Sequence, residues 1–179
     1  MSDFDPKFLN AREAFKSVKF TVIEEKFSLP SGQVVDRAKL NHPGAAVIVP
    51  QLADGRLVLI EQYRYSLRKR ILEFPAGTID VPEPHLKTAV RELKEEIGGE
   101  SDNFIYLGGD YSTPGFTDEL LHSYLAENVR LGETALELGE LVNPVYMTVS
   151  EVEEAIRDGR LQDMKSIVAF YRAKLVYKF

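Results

Sequence analysis

Glu92, Glu95 and Glu96 stand in the stretch Leu86 to Ile97, whose apolar residues Leu86, Ala89, Val90, Leu93 and Ile97 recur at helical spacing. On a helix the three carboxylates share one arc, and like charges so placed destabilise it by roughly 0.2–0.5 kcal/mol per pair. Partial burial raises that cost unless protons or cations occupy the cluster. Hard divalent cations are the natural counter-charge. Mg²⁺ takes oxygen ligands, keeps several waters, and is held by a few carboxylates together with the phosphates of a substrate. The stretch therefore points to metal-assisted phosphate chemistry, or else to a solvated acidic face with Arg91 and Lys94 as helical ion-pair partners.

The residues before the helix separate these readings. The run Ile71-Leu72-Glu73-Phe74 predicts a strand that stops at Pro75-Ala76-Gly77, where glycine lets the backbone turn sharply. Pro82-Glu83-Pro84 then opens the helix, with Pro84 suited to its first position. Strand, glycine loop and acidic helix follow one another in a pattern that resembles the Nudix box: G, five residues, E, seven residues, R-E, aliphatic, any residue, E-E, any residue, G, aliphatic. Gly77, Glu83, Arg91, Glu92, Leu93, Glu95, Glu96 and Gly98 fill every slot in register except the last, which holds Gly99. A match of this length arises by chance on the order of once in a million chains or less at average residue frequencies.

The resemblance implies roles for these residues. Glu92, Glu95 and Glu96, with the backbone carbonyl of Ala76, are the implied ligands of Mg²⁺, for which Mn²⁺ can substitute. Glu92 and Glu96 are counted with the catalytic set. Gly77, Glu83, Arg91 and Gly98 support the site, Arg91 by pairing with acids of the box to hold the loop against the helix. Such supporting partners are common around metal sites.

Beyond the box, Glu61-Gln62-Tyr63-Arg64-Tyr65, Leu72-Glu73-Phe74-Pro75-Ala76-Gly77 and Thr113-Pro114-Gly115-Phe116-Thr117-Asp118-Glu119 are similar to the ADP-ribose pyrophosphatase and nucleotide-sugar hydrolase branch of the same family. The branch implies Glu119 as the general base that activates water, from a loop containing Pro and Gly that can move over substrate. Arg64 is the leading candidate for gripping a diphosphate, because a guanidinium forks onto phosphate oxygens, and Arg37 is a second. Tyr63, Tyr65 and Phe116 are candidates for stacking on a base. The implied reaction is hydrolysis of the diphosphate bond of nucleoside diphosphate-linked sugars to a nucleoside monophosphate and a sugar phosphate. ADP-ribose is favoured, and ADP-glucose and GDP-mannose stand as alternatives. The rival is a non-catalytic sensor that binds ADP-ribose or a nucleotide, for which three crowded carboxylates would serve no purpose.

Composition bounds the rest. A chain of 179 residues with 44% hydrophobic content suffices for one well-buried α/β core. A formal charge of -6 and a pI near 5.2 argue against a surface that coats long nucleic acid. The absence of cysteine excludes disulfides, thiolate nucleophiles and zinc–thiolate sites. Neither a signal peptide pattern nor a membrane-length apolar stretch stands in the sequence, so a cytoplasmic protein is expected.

Several elements must position the site. Phe20 to Ile23 and Val34-Val35 around Pro30-Ser31-Gly32 predict a hairpin, and Ala45–Val49 with Leu57–Ile60 a second strand pair around Asp54-Gly55. Further strands are expected at 71–74, 104–107, 120–126 and 141–147. Ser150 with Glu153 reads as the capping box of a helix through Arg157. Met164, Ile167, Val168, Tyr171 and Leu175 predict the buried stripe of a last helix. The expected fold is α/β, a Nudix-type α/β/α sandwich with a mixed sheet plus an N-terminal antiparallel β-hairpin. Residues 1–42 are expected as the hairpin extension, which the resemblance makes a homodimerisation element, and 43–179 as the hydrolase domain.

Overall fold

Ala45–Pro50 is buried at every position, as a strand covered on both faces must be. In the computed structural model, which describes residues 4–136 and 139–177, this strand is the centre of the fold. The elements in chain order are β1 (Lys7–Lys16), β2 (Thr21–Ser28), β3 (Val34–Asn41), β4 (Ala45–Pro50), β5 (Leu57–Arg64), β6 (Lys69–Glu73) and β7 (Ala76–Thr78). Then come α1 (His85–Ile97), β8 (Gly99–Glu100), β9 (Asn103–Tyr111), β10 (Leu120–Glu127), β11 (Arg130–Leu131), β12 (Val142–Met147), α2 (Val149–Arg157) and α3 (Met164–Val176).

The chain forms two compact units. One comprises the residues up to Gly44 together with Tyr111–Leu120, the other Ala45–Asp110 together with the residues from Leu121 onward. The expected boundary at residue 42 assigns Tyr111–Leu120 to the hydrolase domain, whereas this segment packs with the N-terminal strands. In the first unit β1, β2 and β3 form an antiparallel sheet, with the β2–β3 turn closed by Leu29 and Gly32, the latter at φ 84°. The hairpin expected around Pro30-Ser31-Gly32 is therefore present, as β2 and β3. β1 was not expected, because every residue of it is exposed and it carries no apolar alternation. The Thr113–Glu119 segment is tied to β3 by Leu40 N–H donating to Phe116 O (2.8 Å) and by Lys39 Nζ on Asp118 Oδ2 (3.0 Å).

The second unit is the α/β/α sandwich. A four-stranded sheet runs β7-β4-β10-β9, mixed because β4 is parallel to β10 and antiparallel to β7. A three-stranded antiparallel sheet runs β12-β5-β6. Strand alternation sends Ala45, Val47 and Val49 into one core with Ala169, Phe170 and Ala173 of α3. Ala46 and Ile48 enter the opposite core with Ala89, Leu93 and Ile97 of α1. Among the described residues no helix is long and apolar enough to cross a membrane.

Four local expectations are corrected. β4 and β5 flank the turn at Asp54-Gly55 but do not pair as a hairpin; apart from one bridge, Gln51 to Leu57, each joins a different sheet. Both strands are apolar without alternation over their buried stretch, so sequence leaves their partners undetermined. In α1, Leu86 and Val90 are 43% and 46% exposed, and the buried face instead carries Thr88, Glu92 and Glu96 beside Ala89, Leu93 and Ile97. In α3, Met164, Tyr171 and Leu175 are exposed while Ser166, Ala169, Phe170 and Ala173 are buried, because small residues let the helix approach the sheet closely. The α2 capping box is Thr148 with Glu151, two residues early, since β12 ends at Met147 and Ser150 falls inside the first turn.

Candidate active site

The site is built where β7 meets α1. Pro84 is the N-cap of α1 with extended backbone rather than its first residue, and no side chain caps the helix there. Glu83 nevertheless reaches into the first turn, its Oε1 accepting from Thr88 Oγ1 at 2.9 Å. At the other end Gly98 takes the left-handed conformation, φ 64°, and its N–H returns to the last carbonyls of the helix. A Cβ there would also press on the backbone of Gly132 and Glu133. Gly77 answers a different need: a Cβ would lie inside the Glu92 carboxylate, so only glycine lets the loop pass this close to the helix.

Glu92 is 7% and Glu96 1% exposed, one turn apart on the inner face of α1. Ala76 N–H donates to Glu96 Oε2 at 2.9 Å, which joins the loop to the helix. Arg91 Nη1 donates to Glu92 Oε1 (2.7 Å) and Glu95 Oε2 (2.9 Å), and Nη2 to Thr78 O (3.3 Å). The same guanidinium lies 3.5 Å from Asp80 and 3.9 Å from Glu83. One cation thus spans the helix, the loop and four acids. Burial works against its charge, but Glu92 and Glu95 outweigh that and hold it protonated. Lys94, the other cation of the helix, turns away to Glu100.

Burial, only partly offset by Arg91, raises the Glu92 carboxyl to about 7, with Glu95 and Glu140 adding to the rise. Burial and the Glu92 charge raise Glu96 to about 8 against the pull of the Ala76 N–H. The donor set suits a hard cation: two buried carboxylates whose hold on a proton burial strengthens, next to a loop backbone. Among the described residues no three His, Cys, Asp or Glu side chains already converge as a complete ligand set. Glu95 in particular is turned to Arg91.

The remaining candidates are distributed. Arg64 forks onto Glu73, Nε to Oε1 at 2.8 Å and Nη2 to Oε2 at 2.6 Å, so two of its three nitrogens serve a fully buried carboxylate. Its charge is further favoured by Glu96 and Asp163. Tyr63 and Tyr65 meet edge to face at 5.1 Å, and Tyr65 Oη donates to Gly139 O. In the N-terminal unit Arg37 is exposed, with Nη1 on Asp36 O at 2.9 Å, and Phe116 is exposed. Glu119 Oε1 lies 3.5 Å from His42 Nδ1, which accepts the Gly44 N–H at 3.1 Å. His42, Thr88, Glu140 and the Glu73 partners on α3 escaped the sequence reading. Glu73 alone carried a signal, as a carboxylate in the otherwise apolar run Ile71-Leu72-Glu73-Phe74.

Comparison with known proteins agrees with this geometry. The NUDIX domain model matches residues 40–169. A methanol dehydrogenase activator from Bacillus methanolicus is 33% identical over 168 residues, covering 93% of this chain and 91% of that protein. An ADP-ribose pyrophosphatase from Bacillus subtilis is 28% identical over 177 residues, covering 98% and 96%. A crystal structure of an ADP compounds hydrolase superposes with a TM-score of 0.83 at 22% identity, over 96% of this chain and 93% of that one, a likeness of fold. A family model that spans most of the chain, together with a box in which the acids of one helix face meet a glycine loop, shows that the chain belongs to the NUDIX family.

Proposed function

We propose that the protein is a Mg²⁺-dependent hydrolase that splits the diphosphate bond of nucleoside diphosphate-linked sugars, with ADP-ribose the favoured substrate. The observation that carries this reading is the pair of buried carboxylates, Glu92 and Glu96, held against the Ala76 loop at a cost that a proton or a bound cation relieves. The names of relatives support the substrate class, an ADP-ribose pyrophosphatase among them. Nudix hydrolases generally need a divalent metal. Here Glu92, Glu96 and the Ala76 carbonyl would hold it, with Glu95 available on release from Arg91.

A bound Mg²⁺ supplies neutralisation of phosphate charge and acidifies water. The chain's own residues do the rest. Arg91 would hold the spacing of loop and helix through Thr78 O, Glu92 and Glu95. Gly77 leaves room for that approach. Glu119 is the proposed base for the attacking water on its place in the Thr113–Glu119 motif, with Arg64 and Arg37 proposed for the diphosphate and Tyr63 and Phe116 for the base. The remaining Nη1 of Arg64 is what its fork on Glu73 leaves to a phosphate.

The test is product analysis with Mg²⁺ against ADP-ribose, ADP-glucose, GDP-mannose, UDP-glucose, a dinucleoside polyphosphate and nucleoside triphosphates. AMP and ribose phosphate released from ADP-ribose well above the rest are expected, with Glu96→Gln inactive. Comparable turnover of several nucleotide sugars would widen the substrate class. No cleavage, with nucleotide binding retained, would replace the enzyme by a sensor. A homodimer formed through residues 1–42 is also proposed, and a sedimentation mass of one chain at micromolar concentration would reject it. The proposed compartment is the cytoplasm, where a chain without cysteine loses nothing.

A further inference from the structure

The loop that meets Glu96 is pinned from an element distant in sequence. Ser166, fully buried in the first turn of α3, gives its hydroxyl proton to Asp163 Oδ2 at 2.5 Å, and its oxygen accepts the Phe74 N–H at 2.7 Å. Asp163 is the N-cap of α3, its Oδ2 also accepting the Ser166 N–H at 3.1 Å. Lys165 Nζ binds Asp163 Oδ2 at 2.8 Å and forms an ion pair with Glu73, the carboxylate that Arg64 grips from the other side. Two cations and two acids therefore close a charge-balanced network over a Glu73 side chain with no solvent exposure, which is the condition for burying such charges.

The segment Glu73 to Ala76 is then held at each residue. Glu73 is fixed by Arg64 and Lys165, Phe74 N–H by Ser166, Pro75 O by the Ile48 N–H at 2.9 Å, and Ala76 N–H by Glu96. Pro75 locks its own φ and restricts Phe74, so a displacement at Phe74 passes to Ala76 instead of being absorbed between them.

We propose that Asp163, Lys165 and Ser166 are positioning residues for the divalent-metal site, setting through Phe74 and Glu73 where the Ala76 backbone meets Glu96. The role rests on reading that site as a metal-dependent hydrolase. These residues touch neither metal nor substrate. Their effect is on the geometry with which loop and helix present oxygen to a cation, and supporting partners of metal ligands typically alter affinity by about tenfold or more.

The test is Mn²⁺ binding to the purified protein, followed by electron paramagnetic resonance without substrate, alongside Mg²⁺ titrations of activity. Ser166→Ala is expected to weaken Mn²⁺ binding about tenfold and to raise the Mg²⁺ needed for half-maximal rate in step, with a smaller change in rate at saturating metal. Asp163→Asn, which keeps an acceptor for Ser166 but removes the charge that faces Lys165, is expected to weaken binding less than Ser166→Ala. Lys165→Met leaves the buried hydroxyl in place and carries the same expectation should Ser166→Ala not fold. Thr148→Ala, which removes the cap of α2, serves as a destabilised control and is expected to bind Mn²⁺ like the wild type.

Wild-type affinity in both Ser166→Ala and Lys165→Met, or equal weakening in Thr148→Ala, would overturn the proposal. A wild type that binds Mn²⁺ but cleaves none of the substrates would reject the hydrolase alone, and the comparison of affinities would still decide the positioning role. A wild type that binds no Mn²⁺ rejects both.

Discussion

At the scale of single residues, Glu92 and Glu96, the acids proposed to hold the metal, are buried at a cost to folding. Their carboxyls are raised from 4.5 to about 7 and about 8, chiefly by burial. In the unfolded chain both lose their protons near the ordinary value. Between about 4.5 and 8 the folded protein therefore holds more protons than the unfolded one, and stability falls as pH rises through that window. Their contribution is fully present below 4.5 and lost above 8. Thermal melts without metal are expected to show this loss, and Glu96→Gln to flatten it; a wild-type profile unchanged by that substitution would contradict the burial argument.

Among the elements, α1 carries most of the consequence, because its face is set by tertiary packing instead of hydropathy. Ala89, Leu93 and Ile97 bury as their spacing predicts, but Thr88, Glu92 and Glu96 replace Leu86 and Val90 on the inner side. The helix is thereby turned so that the acids face the β7 loop. Its end is also constrained: Gly98 combines φ 64° with a close backbone neighbour at Gly132. Gly98→Ala is expected to cost at least about 1 kcal/mol, more than the ordinary helix penalty, since both the left-handed backbone and the contact resist a Cβ. Chemical denaturation of the metal-free protein measures it. A loss below a few tenths of a kcal/mol would mean that this turn adjusts freely.

For the whole molecule, the proposed metal site would link cation binding to folding. A ligand that binds only the folded state stabilises it by RT ln(1 + [L]/Kd), about 2.7 kcal/mol at a hundredfold excess over Kd. Mg²⁺ is accordingly expected to raise the melting temperature of the wild type, and more above pH 8 than near pH 6, because it must displace the protons of Glu92 and Glu96. In Glu96→Gln the gain should largely vanish. An equal gain in that variant would place the metal elsewhere. The arrangement of the sheets makes such linkage effective: β4 lies between α1 on one side and α3 on the other, so the loop at β7 is supported from both cores.

The sequence by itself determined the box, its clustered acids, the glycine loop and most strands and helices, because each rests on spacings within a turn, a strand or a short loop. The resemblance set Gly77, Arg91, Glu92 and Glu96 in one box, and the structure brings these four together where β7 meets α1. Only the tertiary structure decided which strands pair, which face of α1 and α3 is buried, that Tyr111–Leu120 joins the N-terminal unit, and that Arg64 is committed to Glu73. Those outcomes depend on contacts between residues far apart in the chain, such as Phe74 with Ser166, and no local period or propensity encodes which distant partner satisfies a buried polar group.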